Sequence, residues 1–379
     1  MTRKTTFTRY RPKTILNKAK RADHWFWTRY SAYPYLGCQH GCEFCYCREQ
    51  KYSPYDDPID FSHVIKVKEN APELLRRALK NAPLDAIFTA DYQPAERKFG
   101  MSRRMLEVCL ETGFPVFVLE RNPGILRDLD LLKAIHKRSR VTVAFSIITT
   151  PDSKNYERVC QMEHLAPPAQ KRFEAMQKIA DAGIPVGTCM MPILPGLCDD
   201  PANLEAVTHW TANHGGSFVL ASGLTLSDQQ KEYFFGILRE RFPDLLALYQ
   251  RLYPPKSYGP AGMDWHKTAL RIREACEKHG IHDRMTRPIV PGEKRALNKR
   301  IVEMLANQLY EKELSAEPDY RLWEYRKAAW AIEDMAEDIG LVYHTMGLKG
   351  LQAIPDAGRV ATVVEGMLIA AKQEFEGVK

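Results

Sequence analysis

The chain has 379 residues, 45% of them hydrophobic, and a formal net charge of +7. That length suits two or three domains with a sizeable core. No apolar run approaches the roughly 20 residues of a membrane-spanning helix, so no membrane association is expected. The basic N-terminus lacks the apolar stretch of a secretory signal, and nine cysteines, an odd count mostly scattered singly, argue against a disulfide framework. A reducing, cytoplasmic setting is expected.

The charge excess is local. Residues 1–22 hold eight Lys/Arg and no acid, while the remaining 46 Lys/Arg stand against 47 Asp/Glu. Residues 1–30 therefore read as a basic N-terminal arm. Arg3, Arg9 and Arg11 alternate with Phe7 and Tyr10, followed by Trp25, Phe26 and Trp27. Cations suit phosphates and rings suit base stacking, so Arg9 and Arg11 are candidate nucleic-acid contacts. A basic solubilising tail is the plainer alternative.

Next comes Cys38-Gln39-His40-Gly41-Cys42-Glu43-Phe44-Cys45, a C-x3-C-x2-C run. Three thiolates on one short loop can ligate three irons of a [4Fe–4S] cluster and leave the fourth iron open. A zinc site normally pairs C-x2-C with a second pair elsewhere, and no such pair follows. Cys47 lies too close to Cys45 for ordinary tetrahedral spacing.

From residue 31 to 283 the pattern alternates strand and helix. Strands are predicted at 31–36, 85–91, 115–120, 141–148, 185–191 and 217–222, with helices near 71–82, 102–113, 128–138, 168–183 and 201–214. Gly113-Phe114-Pro115 and Gly183-Ile184-Pro185 mark helix ends before strands. Six right-handed βα units give an α/β fold, a partial (β/α)6 TIM-like barrel with its chemistry at the carboxyl ends of the strands.

The cysteine spacing resembles the radical SAM superfamily. The runs Tyr33-Pro34-Tyr35-Leu36-Gly37-Cys38, Ile65-Lys66-Val67-Lys68-Glu69-Asn70, Thr89-Ala90-Asp91-Tyr92-Gln93-Pro94-Ala95-Glu96, Arg127-Asp128-Leu129-Asp130-Leu131-Leu132 and Met191-Pro192-Ile193-Leu194-Pro195-Gly196-Leu197 resemble its spore photoproduct lyase-like branch. The resemblance covers roughly residues 30–250. It implies that Cys38, Cys42 and Cys45 hold the cluster, whose open iron chelates S-adenosylmethionine (SAM). One electron, from a donor such as flavodoxin or ferredoxin, then gives a 5′-deoxyadenosyl radical that abstracts hydrogen from substrate. It also implies SAM contacts at Phe44, Thr89, Arg121 and Ser146, with Arg121 in place of a family lysine. Spore photoproduct lyases carry a hydrogen-donating cysteine where this chain has Phe88. Cys189, ending the fifth predicted strand, is the candidate substitute; a small buried hydrophobe is the ordinary reading of such a cysteine. Glu163, in a loop that overhangs the site in similar proteins, is read either as orienting substrate or SAM or as a solvated carboxylate.

Residues 284–317 read as a basic linker and helix, since Arg284, Arg287, Lys294, Arg295, Lys299 and Arg300 are interspersed with Pro288, Pro291 and Gly292. Residues 318–379 change character. A helix is expected from Tyr325 through about Ile339. Then Gly347-Leu348-Lys349-Gly350-Leu351-Gln352-Ala353-Ile354-Pro355-Asp356-Ala357-Gly358 precedes another helix. This resembles the helix-hairpin-helix module in the N-terminal domain of family X DNA polymerases, which implies backbone-amide binding of phosphate around Lys349, Gly350, Gly358 and Arg359. Asp356 replaces the usual first turn glycine. Val363 stands where lyase-competent relatives carry a Schiff-base lysine. A helical interaction module is the alternative. Together these features point to a radical SAM enzyme acting on nucleic acid, DNA rather than RNA, in lesion repair or modification. A radical SAM enzyme acting on a peptide or small molecule, and a non-enzymatic metal-containing nucleic-acid-binding protein, remain open alternatives at this point.

Overall fold

The computed structural model describes residues 4–376, so Arg3 of the basic segment and the last three residues of the C-terminal module lie outside it. Its strands are β1 (Thr6–Tyr10), β2 (Asn17–Lys18), β3 (Thr28–Ala32), β4 (Tyr35–Leu36), β5 (Val64–Lys68), β6 (Ala86–Thr89), β7 (Val116–Glu120), β8 (Val141–Ser146), β9 (Val186–Ile193) and β10 (Phe218–Gly223). Helices α1 (Asp60–His63), α2 (Ala71–Leu79), α3 (Glu96–Phe99), α4 (Met101–Thr112), α5 (Leu129–Arg138), α6 (Tyr156–Met162), α7 (Ala169–Asp181) and α8 (Pro201–Asn213) are interleaved with the later strands. Then follow α9 (Asp228–Arg241), α10 (Pro243–Leu252), α11 (Trp265–Lys278), α12 (Ala296–Leu314), α13 (Asp319–Asp334), α14 (Ile339–Gln352) and α15 (Ala361–Glu376). No helix among the described residues is long and apolar enough to cross a membrane.

The main sheet has the order β10-β9-β8-β7-β6-β3-β2, parallel except for short β2. Its six parallel strands succeed one another in space as in sequence, the arrangement expected of an incomplete barrel. The central strands are apolar runs buried on both faces, as crossover helices require; all six residues of β8 are buried. One face (Ile87, Val116, Val118, Val141, Val143) packs under α2, α4, α5 and α7. The other bears Phe88, Phe117, Ala144, Cys189 and Leu220.

Five of the six parallel strands fall within two residues of their predicted bounds. The first does not. It is Thr28–Ala32, and the predicted 31–36 stretch bends away at Tyr33-Pro34 to form β4 in a second sheet, β1-β5-β4. Proline at position 34 cannot donate to a ladder, which is a local reason for the change of sheet. The cysteine loop leaves from β4.

The basic segment is not a free arm. β1 pairs in parallel with β5 over five residues, and β2 pairs with β3. Trp27 is buried, donating its indole N–H to Met285 O at 3.0 Å. The 284–300 stretch is not a solvated linker either. Arg287 is buried, forks onto Glu333 of α13 at 2.7 and 2.8 Å, lies 3.8 Å from Asp85 and covers the Trp27 ring at 5.1 Å. Lys299, also buried, reaches Glu293 at 2.7 Å and Leu84 O at 3.1 Å. Proline and glycine punctuation with many cations reads as linker in sequence; the carboxylates that neutralise the cations come from distant segments. The expected helix through Ile339 breaks instead after Asp334, and Ile339 opens α14, whose Asp338 cap accepts from Leu341 N at 3.0 Å.

Asp85 and Leu84 precede β6, so α12–α15 dock at the amino-terminal mouth of the sheet. They share one apolar cluster with its concave face, joining Ile301, Leu305, Ala329, Ile332 and Leu368 to Phe117 and Leu220. Burial tends to keep the Glu333 carboxyl neutral, but the Arg287 hydrogen bonds and charge outweigh it and hold the carboxyl below its ordinary range. Stability from this pair is therefore present above the unfolded-state pKa and lost as pH falls through the folded value. Arg287→Ala, which strands Glu333, should cost about 3–5 kcal/mol in urea unfolding followed by tryptophan fluorescence. Arg287→Met with Glu333→Leu should recover most of that loss and flatten the acid limb of stability against pH.

Candidate active site

Gly37 turns the chain from β4 into the cysteine loop. It has φ +80°, and a Cβ there would stand 2.6 Å from Val64 O, so only glycine fits. The loop is held from several sides. Gln93, fully buried after β6, donates its side-chain amide to Gly37 O at 3.0 Å and accepts from Gln39 N at 3.0 Å. Arg48 lies buried beneath, donating to Cys42 O at 3.3 Å, Gly41 O at 3.2 Å and Pro58 O, with Tyr233 stacked at 4.4 Å. Glu43 accepts from Tyr233 and Arg241 of α9. Gln230, also on α9, donates to Phe44 O at 3.3 Å. A short polar loop that could take many shapes is left with one.

The loop sits at the carboxyl ends of the parallel strands, as expected. His40 is buried between the Cys38 sulfur, 3.6 Å from Nδ1, and the Asn122 amide after β7, 3.4 Å from Nε2. Burial, reinforced by Arg121 and Arg172, lowers its pKa to about 3, so the ring is neutral at pH 7. Arg121 follows β7 with its guanidinium 5.4 Å from the Phe44 ring. It pairs with Glu163, whose other oxygen accepts from Arg172 at 2.6 Å. Arg172 also donates to Ser146 O at 2.8 Å. Burial alone would depress the Arg121 guanidinium, but the Cys42 and Cys45 sulfurs and Glu163 outweigh it and keep it charged. Burial likewise opposes ionisation of Glu163, and its two arginines prevail. The Glu163 carboxylate is thus buried between two cations, not solvated.

Of the sequence-predicted residues, Phe44, Arg121 and the cysteines come together directly. Arg121, Ser146 and Cys189 occupy one layer: Ser146 registers with Cys189, and Glu120, just before Arg121, registers with Phe145, just before Ser146. Cys189 is fully buried. Thr89 does not join them. Phe88 packs on Phe117 at 5.1 Å on the concave face, so its neighbour Thr89 takes the opposite face, fully buried, donating to Ala32 O at 2.6 Å. Far from this group, Arg9 lies 3.4 Å from Glu69 and Arg11 is exposed. Lys349 and Arg359 are exposed, the latter 2.9 Å from Glu324. Gly350 is buried just beyond the break that Gly347 makes in α14 (φ +57°, ψ −149°), where a Cβ would stand 2.9 Å from Met346 Cβ. Gly358 is half-buried against Gln352 O.

Sequence reasoning gave no role to Gln93, Arg48, Glu43 or Glu120. Glu120, buried, accepts from Tyr92 N at 2.8 Å and Arg121 N at 3.2 Å, fixing both strand-end turns. Gln93 stood inside a family-like run, the one signal that could have found it.

The thiols fit an iron–sulfur cluster. Three cysteines lie within eight residues on one clamped loop. No three His, Cys, Asp or Glu side chains among the described residues converge tightly enough for a single ion; a cuboidal cluster spaces its thiolates more widely.

Residues 33–204 match the family profile described as radical SAM superfamily. An uncharacterized protein of Mycobacterium tuberculosis (strain H37Rv) is 26% identical over 254 residues, covering 65% of this chain and 73% of that protein. An uncharacterized protein of Methanocaldococcus jannaschii is 28% identical over 175 residues, covering 45% and 62%. The fold matches that of spore photoproduct lyase complexed with dinucleoside spore photoproduct, with a TM-score of 0.52, 15% identity and 73% and 81% coverage. A variant of that lyase with bound AdoMet and dinucleoside spore photoproduct gives a TM-score of 0.52 at 14% identity, covering 73% and 80%. The cofactors of the matched domain are a [4Fe–4S] cluster and SAM. Cys38, Cys42 and Cys45 would hold the first, and Arg121 would offer the methionine carboxylate of the second a charged donor.

Arg121→Ala leaves Glu163 still paired with Arg172, so it tests the Arg121 donor without stranding a buried charge. It should weaken SAM binding by about 1.5–3 kcal/mol in equilibrium dialysis, with iron content unchanged. Cys38→Ala, Cys42→Ala and Cys45→Ala should each abolish 5′-deoxyadenosine formation, and Cys47→Ala should retain it.

Proposed function

We propose that this chain is a radical SAM enzyme that abstracts hydrogen from a nucleic-acid substrate, DNA rather than RNA, in lesion repair or modification. The observation carrying the enzymatic reading is the cysteine loop clamped at the carboxyl ends of a parallel sheet, with Arg121 and Phe44 beside it. When bound, the cluster and SAM supply the 5′-deoxyadenosyl radical. The protein's own residues do the rest: Gln93 and Arg48 fix the loop, Arg121 and Ser146 receive SAM, and Glu163 orients Arg121.

Three features support nucleic acid. The lyase sharing this fold has been solved with a dinucleoside lesion, which is a property of that protein. Arg11 is exposed just beyond β1, the edge strand of the small sheet. The C-terminal hairpin exposes Lys349 and Arg359, and Asp356 adopts φ +63° at the position that helix-hairpin-helix turns reserve for glycine. We read this hairpin as a backbone-contacting module and assign electron delivery to flavodoxin or ferredoxin. Phe88, half-buried among Phe26, Tyr33 and Phe117, cannot donate hydrogen. We therefore assign the donor role to Cys189, which shares a layer with Arg121 and Ser146.

Nucleic-acid binding is tested on the full chain by point substitution. Arg11→Ala should lower the slope of log affinity against log salt by up to about 0.9, one phosphate contact, with the iron content of wild type. Asp356→Gly should tighten DNA binding by easing the turn and removing a carboxylate near phosphate. Purified holoenzyme should not repair spore photoproduct over multiple turnovers. Absence of binding to both DNA and RNA defeats the substrate reading and leaves a peptide or small-molecule radical enzyme.

A further inference from the structure

A cavity of about 420 Å³ lies away from the cysteine loop, at the seam where the two edges of the sheet approach. Its walls come from β10 (Val219, Ala221), α11 (Trp265), α12 (Tyr310), the turn at Trp25 and Arg284. Such a volume is ordinary for a small-ligand site, about 300–1,000 Å³.

Its chemistry is specific. The Arg284 guanidinium is sandwiched between the Trp25 ring at 4.9 Å and the Tyr310 ring at 4.7 Å. It donates to His24 O at 2.6 Å, and no carboxylate among the described residues pairs with it. Its neighbours differ. Arg273 holds Asp283 at 2.9 Å, Arg287 holds Glu333, and Arg326 holds Glu313 at 2.8 Å. The cavity's two acids are thus occupied, Asp283 accepting a second bond from Tyr310 at 2.9 Å. Arg273 also holds Glu311 at 2.8 Å, so the charges around the cavity balance, but Arg284 alone of these cations has no carboxylate bonded to it among the described residues and faces three aromatic rings. Trp265 closes one wall, its ring so near Gly223 that a Cβ there would stand 3.6 Å from it. At the rim, Arg326 covers the exposed Trp323 ring at 5.0 Å, and Arg321 lies 5.9 Å from the exposed Tyr320 ring. Ring–cation pairs therefore continue outward along α13.

Rings stack bases irrespective of sequence, and a guanidinium is the preferred donor to phosphate. We propose that this seam cavity binds a nucleoside phosphate, its base against Trp265 and Trp25 and its phosphate on Arg284. The nucleotide has two possible sources, a free nucleotide or one unit of a single strand continuing over Trp323. The second source deepens the nucleic-acid reading above and rests on it; the first does not.

The test uses reconstituted full-length holoenzyme without SAM. Calorimetry measures binding of thymidine 5′-monophosphate and of inorganic phosphate, and fluorescence anisotropy measures a labelled eight-residue oligothymidylate. Arg284→Gln and Trp265→Leu are each expected to weaken the bound probe at least tenfold, with melting temperature held. Should Arg284→Gln melt early, Trp265→Leu decides alone. Binding of the monophosphate supports the free source, and binding of the oligonucleotide alone supports the strand. Inorganic phosphate binding as tightly as the monophosphate overturns the proposal, since the rings would then contribute nothing. Wild-type affinity for every probe in both variants also overturns it while leaving the nucleic-acid reading intact. Binding of neither nucleotide probe by wild type overturns it as well. Monophosphate binding without any binding of DNA or RNA defeats the nucleic-acid reading and keeps the cavity.

Discussion

A sheet of six parallel strands that curls without closing leaves its concave face to be covered by something else. Here β3 and β10 do not pair, so that face must be filled from outside the repeating βα units. At the amino-terminal mouth the filling is structural. Trp27, Met285 and helices α12–α15 extend the apolar cluster of the inner strand faces. At the carboxyl-terminal mouth the filling is polar and clamped: the cysteine loop, Gln93, His40 and the Arg121–Glu163–Arg172 group. One architectural gap thus divides the interior into a packed end and a chemical end.

The two ends also differ in how buried charge is balanced. Around Arg287 and Lys299 the cations meet Glu333, Glu293 and Asp85, and the cluster is neutral or acidic. Such pairs contribute little net stability but are costly to break, so they fix the docking of α13 on the sheet. Around Glu163 two arginines share a single carboxylate. That surplus positive charge lies beside the Cys42 and Cys45 sulfurs, and burial pushes the Cys42 thiol up to about 11. Burying an unbalanced cation is costly unless an anion completes the set, and thiolates on iron and the carboxylate of SAM would each supply one.

Much of this was legible in sequence, and the limits have physical causes. Five strands were readable because parallel strands buried on both faces are continuous apolar runs. The first strand was misplaced because the Tyr33-Pro34-Tyr35 run carries strand-forming rings that belong to another sheet. The cysteines were readable because their roles depend on local spacing. Gln93, Glu43 and Arg48 were not, since each acts through partners 6 to about 200 residues away. Glu163 was left between two readings for the same reason, its arginines arriving from β7 and α7. Arg287 and Lys299 were misread because sequence counts charges and does not show which are neutralised.

The same point governs the basic N-terminal segment. It was read as an arm because residues 1–22 hold eight Lys/Arg and no acid, with rings among the cations. In the fold part of it is a strand, with Phe7 and Arg9 on one face against Phe99 at 5.3 and 5.4 Å. β1 lies on β5, next to the β4 strand that delivers Cys38, and Thr5 lies 3.5 Å from the Gln39 amide. Further on, Arg21 forks onto Asp334 and covers Trp330 at 5.1 Å, and Trp25 and Trp27 straddle Arg284 and Arg287. Residues 4–30 therefore run from the cluster end of the barrel to its helical end as a strap. Removing them would expose the β5 edge, empty the seam and uncover Arg287 at once, so any loss of nucleic-acid binding on deletion would report unfolding as readily as lost phosphate contacts. Single surface substitutions separate the two, because Arg11 reaches solvent from a segment whose backbone and aromatic residues hold the fold.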